Sequence, residues 1–135
     1  MQLDRYLNWL ANSLDSRRDA DLEHFWVEYG EPARKALVEG RLRFWDGSLL
    51  KFVEVLEQRG AVLGKLEYVY HYQDGQAQLV FRYDNSPHHP EIETFPHHKH
   101  VMSSDGKEEL IEPAVAPTIR AVLQEVEQTL YPDAN

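Results

Sequence analysis

Two Asp-Gly pairs set between alternating apolar runs constrain this chain most. W-D-G-S (45–48) joins A-L-V-E-G-R-L-R-F (36–44) to L-L-K-F-V-E-V-L-E-Q (49–58). Q-D-G-Q (73–76) follows V-L-G-K-L-E-Y-V-Y-H-Y-Q (62–73) and leads into A-Q-L-V-F-R-Y-D (77–84). Asp-Gly between such runs is the strongest short hairpin signal, because both central residues of a type I′ turn take positive φ. Arg59-Gly60 marks a further turn between the two hairpins. Residues 33–45 begin with a helical look, but Ala36, Val38, Gly40, Leu42 and Phe44 share one period-2 face, which makes this a strand. E-H-F-W-V-E-Y (23–29) is aromatic and β-branched, and Gly30-Glu31-Pro32 breaks it. The expectation is an antiparallel meander of about five strands.

Helices flank it. Leu3, Tyr6, Leu7, Leu10 and Leu14 recur at helical spacing. Ile119, Val122, Leu123, Val126 and Leu130 do the same within 114–130, where Pro117 fits only near the first turn. The polar stretch 16–21 reads as a loop, 97–102 as a short return strand and 103–107 as a turn. The fold class is therefore α+β, one domain over 1–135, with an N-terminal and a C-terminal helix packed on one face of the meander. Residues 1–35 supply the first helix and strand, 36–102 the meander and a histidine-rich loop, and 103–135 the closing helix.

The formal net charge of −9 argues against general affinity for nucleic acid. The middle of the chain is nearly neutral, however, so a local cationic site remains open. No run of about 18 apolar residues occurs, so no membrane helix is expected. The N-terminus lacks the pattern of a signal peptide, and the expected location is the cytoplasm. The absence of cysteine excludes disulfides and thiolate chemistry.

Strand alternation sorts the meander into two faces. Ala77, Leu79, Phe81 and Tyr83 fall on one side of the last strand; Gln78, Val80, Arg82 and Asp84 fall on the other. In the preceding strand, Leu66, Tyr68, Tyr70 and Tyr72 oppose Lys65, Glu67, Val69 and His71. The polar face thus carries His71, Arg82 and Asp84. It leads into R-Y-D-N-S-P-H-H-P-E-I-E-T-F-P-H-H-K-H (82–100), which holds five of the chain's seven histidines. Pro87, Pro90 and Pro96 make this a rigid loop rather than a helix.

Three kinds of chemistry suit that loop. Neutral imidazole binds zinc and similar ions, and His89, His98 and His100 form a candidate set, although the spacing matches no standard zinc motif. Metal-independent phosphodiester cleavage needs a base, an acid and a cation on the phosphate. Arg82 is the candidate cation, His98 and His100 are the acid–base candidates, and Asp84 would orient one of them. The third reading is a polar loop without chemistry, its prolines pinning an edge strand.

The same stretch, F-R-Y-D-N-S-P-H-H-P-E-I-E-T-F-P-H-H-K-H (81–100), resembles the signature of the TumE family of toxins from prokaryotic toxin–antitoxin modules. R-L-R-F-W-D-G-S-L-L-K-F-V-E (41–54) and Y-V-Y-H-Y-Q-D-G (68–75) are similar to its flanking segments, so the resemblance spans about 36–130. It implies a compact α+β fold, RNA cleavage and neutralisation by a DNA-binding antitoxin. The positions it singles out are Arg82, Tyr83, Asp84, Asn85, His88, His89, His97, His98, Lys99 and His100, with Glu54 behind them. His71, Tyr83, Asn85, His88, His89, His97, Lys99 and Glu54 are expected to bind substrate or position the loop. No cofactor is expected, with zinc as the alternative. The partners are an antitoxin and RNA, and a homodimer is open. The rival functions are a metal-binding protein and a non-enzymatic regulator that only pairs with its neighbour.

Overall fold

The computed structural model describes residues 2–32 and 34–133. Helix α1 (Leu3–Asp15) is followed by seven strands, β1 (Ala20–Tyr29), β2 (Lys35–Phe44), β3 (Leu49–Arg59), β4 (Val62–Gln73), β5 (Leu79–Asp84), β6 (His98–Met102) and β7 (Glu109–Pro113). Helix α2 (Ile119–Leu130) closes the chain. All seven strands lie in one antiparallel sheet in sequential order. The class expected from sequence holds, but the count of five is two strands short. The return strand β6 is real, and β7 pairs with it. Glu-Leu-Ile-Glu-Pro is too short and too polar to announce itself as a strand, and its proline sits at the strand's end. The start of the second strand expected at residue 33 lies outside the described residues.

Both helices cover the same face. Leu3, Leu7, Leu10 and Leu14 of α1 and Ile119, Val122, Val126 and Leu130 of α2 join one core with Val38, Leu42, Phe44, Leu50, Phe52, Leu56, Tyr68, Tyr70, Tyr72 and Phe81. Thr118 caps α2, its hydroxyl accepting from the Ala121 amide, so the helix starts just past Pro117. Gly40 is needed by the core: a Cβ there would lie 2.4 Å from the Phe52 ring.

The Asp-Gly hairpins form, but not as type I′ turns. Only Gly47 (φ +86°) has positive φ in the first, and Ala77 (φ +64°) rather than Gly75 in the second. Each aspartate instead spends its carboxylate on the turn. Asp46 accepts from the Ser48 amide and hydroxyl (3.0 and 2.5 Å), and Asp74 from the amides of Gln76 and Gln78 (2.9 and 3.0 Å).

Two bulges change the face assignments. The β3–β4 register jumps between Val55 and Leu56, skipping Leu66, which is exposed, while Lys65 turns to the helix face. The β4–β5 register jumps at Gln73, so Leu79 pairs with it on the open face while Val80 packs against the core. Lys65, Leu79 and Val80 therefore lie on the faces opposite those that strict alternation assigns.

Candidate functional site

The face without helices holds the site. Its centre is Asp84, the last residue of β5, which is buried. Strand pairing sets Arg82 across from His71 on one side and His100 on the other, and sets Asp84 across from His98. One carboxylate then gathers three basic groups. Oδ2 accepts from Arg82 Nε at 3.0 Å and lies 3.5 Å from His100 Nε2. Oδ1 lies 3.0 Å from His98 Nε2 and accepts from the Ser86 amide at 3.0 Å. Burial alone would raise the Asp84 carboxyl. The Arg82 and Ser86 hydrogen bonds and the charges of His98 and Arg82 outweigh it and hold Asp84 below the usual carboxylate range.

His98 is sealed. Its Nδ1 donates to the Pro96 carbonyl at 2.9 Å, and its side chain is 3 % exposed. His100 is more open at 14 %, with Nδ1 3.0 Å from Glu109 Oε2. Arg82 uses Nε for Asp84, and among the described residues its two terminal nitrogens have no other hydrogen-bonded partner. They form the fork that suits a phosphate. His89 reaches the cluster through a left-handed backbone (φ +66°), its ring 5.3 Å from that of His98 and 6.3 Å from that of His100. His88 is exposed at the rim of the same cleft, which measures about 440 Å³.

His71 belongs to this cleft and to a second one beside it, of about 320 Å³, which also contains Lys51 and Arg41. Burial lowers its pKa, and the charges of Lys51 and Arg82 lower it further. Its Nδ1 is buried with no partner among the described residues. A charged ring would carry an unpaired buried N–H there, which reinforces the neutral form.

The other residues singled out in the sequence lie elsewhere, because alternate positions on a strand face opposite ways. Asn85 pins the start of the loop to β4, donating to the Leu66 carbonyl and accepting from the Tyr68 amide. His97 stacks on Tyr68 at 5.8 Å and meets its hydroxyl at 2.8 Å; the Tyr68 hydroxyl is pushed up to about 12, by burial first and then by Asp84. Tyr83 and Lys99 face the helices and clamp Glu125 of α2 at 2.6 and 2.7 Å. Glu54 is fully buried on that face too, accepting from Tyr6 (2.6 Å) and Tyr70, with Lys65 3.8 Å away. Burial pushes both tyrosines up and Lys65 down, and Glu54 adds to the first effect and opposes the second.

Glu109, Ser86, Lys51 and Arg41 were not singled out in the sequence. Lys51 and Arg41 were reachable by counting register outward from the Asp-Gly turns. Glu109 was hidden with its strand. A metal ion could be held by Asp84, His98 and His100, whose ligand atoms lie within 4.8 Å of one another. Asp84 here takes the place given to His89 in the expected set.

An antiparallel sheet backed by helices, with imidazoles and a guanidinium gathered on a buried carboxylate of its open face, defines a small α+β protein with a polar site equipped for proton transfer and anion binding. The chain belongs to the family described as Toxin TumE, whose family model matches residues 13–130. The match begins well before residue 36, so β1 and the end of α1 are part of the family's fold. Membership supports a toxin role in a toxin–antitoxin system and implies a cognate antitoxin. No curated protein and no solved structure was found to match. Among the described residues no helix is long and apolar enough to cross a membrane.

Proposed function

We propose that this toxin cleaves RNA in the cytoplasm without a metal, and that a DNA-binding antitoxin neutralises it. The observation that supports this most is the order His71, Arg82, His100 across three paired strands, two imidazoles flanking a free guanidinium fork. In this reading Arg82 binds the scissile phosphate. His71, kept neutral by burial and by Lys51 and Arg82, takes the proton of the 2′-hydroxyl. The 2′-oxygen attacks phosphorus, the bond from phosphorus to the 5′-oxygen breaks, and His100 protonates that leaving oxygen. The products are a 2′,3′-cyclic phosphate and a 5′-hydroxyl. Asp84 and the sealed His98 are positioning residues that fix Arg82 and His100. The test is cleavage of a defined RNA by the untagged protein, alongside induction with and without the neighbouring gene. Wild type should cleave in the presence of chelator, a 2′-deoxy substitution at the scissile site should stop it, and Arg82→Ala and His100→Ala should abolish both cleavage and growth arrest while remaining folded. Full activity of both variants would sink the assignment. Intact RNA with a stable partner complex would leave a regulator that only binds.

A second reading has its own observation. His98 and His100 each direct Nδ1 to an oxygen acceptor, the usual outer support of a metal-binding histidine, and turn Nε2 to Asp84. Stoichiometric zinc in untagged protein, with activity lost to chelator, would favour it over the metal-free mechanism.

A further inference from the structure

Strand register lines up more than the cleft. Following the paired positions outward from His100 gives Arg82, His71, Lys51, Arg41 and His24 in turn, one residue from each of β6 to β1. All six lie on the open face, and none is an acid. The row crosses five inter-strand gaps, about 24 Å at about 4.8 Å each. Arg41 and Lys51 are exposed, and Lys51 has no ion pair among the described residues. Among the described residues Arg41 pairs only with Glu23, at 3.3 Å with side chains 48 % and 34 % exposed, a pairing worth little and easily exchanged for a phosphate. The adjacent row on the same face is different in kind. It runs Trp26, Glu39, Val53, Val69 and Asp84, and continues to His98. Val53 and Val69 line the second cleft, and Trp26 is 53 % exposed on the edge strand. The apolar part of this row is Val53 and Val69; Glu39 beside them pairs with His24 at 2.9 Å, and the exposed indole of Trp26 ends the row. A cationic line beside two valines and an exposed indole can hold a sugar–phosphate backbone and stack a base at its end.

The twist of the sheet selects the form of the strand. Neighbouring strands rotate by about 20–25° about the axis that the row follows, so its side chains fan through roughly 100° along its length. A duplex holds its phosphates in a fixed helical array and cannot re-aim them one by one to follow that fan over about 24 Å. A flexible single strand can. We propose that the row from His24 to His100 is the track of a single-stranded RNA, its phosphates on Arg41, Lys51 and Arg82 and its bases toward Val53, Val69 and Trp26. At the stacked spacing of about 3.4 Å the track holds at most about seven nucleotides. This inference deepens the ribonuclease reading and rests on it for the identity of the sugar, but its binding claim is tested separately.

The probe is a fluorescein-labelled 2′-O-methyl RNA hexamer, which cannot be cleaved through its 2′-oxygen, followed by anisotropy from 0.1 to 0.5 M salt. Three cations predict a slope of log affinity against log salt of about −2, at about −0.7 per phosphate contact. Lys51→Glu and Arg41→Glu should each weaken binding at least tenfold and flatten the slope. Lys35→Glu, on the same face but about 20 Å along β2 from the row, should change it less than twofold. The duplex of the same sequence should bind at least tenfold more weakly. Unaltered binding by both row variants, equal affinity for the duplex, or no binding by wild type overturns the track. The two readings separate cleanly. Row-dependent binding of the hexamer with no cleavage of its all-ribose form sinks the ribonuclease and keeps the track. Cleavage whose kcat/KM is unmoved by Arg41→Glu, a residue outside the proposed chemistry, sinks the track and keeps the ribonuclease.

Discussion

Replacing Asp84 by Asn tests whether one carboxylate organises the open face. The side chain is 4 % exposed and faces Arg82, His98, His100 and the Ser86 amide. Asparagine keeps the shape and can still accept from Ser86, but it turns an NH₂ group toward donors on one side. Breaking a buried ion pair costs about 3–5 kcal/mol. Arg82 is 38 % exposed and can recover solvation, so about 2–3 kcal/mol is expected here. The pH dependence has a definite sign. The folded carboxyl is held below its ordinary value, while the unfolded one titrates near 3.9. The stabilisation is therefore complete above the unfolded value and disappears as pH falls through the folded one. Urea melts of wild type and Asp84→Asn should differ by about 2–3 kcal/mol at pH 7, the gap narrowing as pH falls below about 3.9 and closing only beneath the folded carboxyl's depressed value. A difference under 1 kcal/mol at pH 7, or one that persists unchanged into acid, would refute the account of Asp84 as the charged hub.

Lys51→Met removes a cation beside His71. Its charge lowers the His71 pKa, so the His71 titration seen by NMR should move up, and the acid limb of the proposed cleavage with it. An unmoved titration removes Lys51 from the account. Gly40→Ala places a methyl 2.4 Å from the Phe52 ring and should cost about 1–3 kcal/mol in a urea melt, with the polar cluster's NMR signals intact.

Turn chemistry and alternation made the meander legible from 36 to 84, and with it the shared face of His71, Arg82 and Asp84. Alternation also explains why a run of four residues, His97 to His100, divides between faces: His98 and His100 join Asp84 while His97 and Lys99 turn to the helix side. What alternation cannot supply is the position of a bulge, since one extra residue is decided by packing across the sheet rather than by the residue itself. Lys65 and Leu79 were lost in that way. Glu54 shows a different limit. Its nearness to a family motif in the chain suggested nearness to the site, yet it accepts from Tyr6 and Tyr70 on the far side of the sheet, a polar anchor between α1 and the strands.

A net charge of −9 and a cationic row on one face have to be weighed together, and ionic strength decides between them. At 0.01 M salt the screening length is about 30 Å, comparable to the row itself, so an approaching RNA feels the whole acidic molecule and is repelled. At 0.1 M it shrinks to about 10 Å. A strand on the row then interacts mainly with Arg41, Lys51 and Arg82, while acids on the helix side, such as Glu125 and Glu127 of α2, are screened. Above that, competing ions weaken the row contacts as well. The affinity of the 2′-O-methyl hexamer should therefore pass through a maximum near 0.1 M rather than fall steadily from the lowest salt. Lys51→Glu should lower the maximum without removing the rise, because the rise belongs to the molecule's net charge and the height to the row. A steady decline from 0.01 M would mean that the local field dominates at every distance and that the acidic surface plays no part in limiting RNA binding.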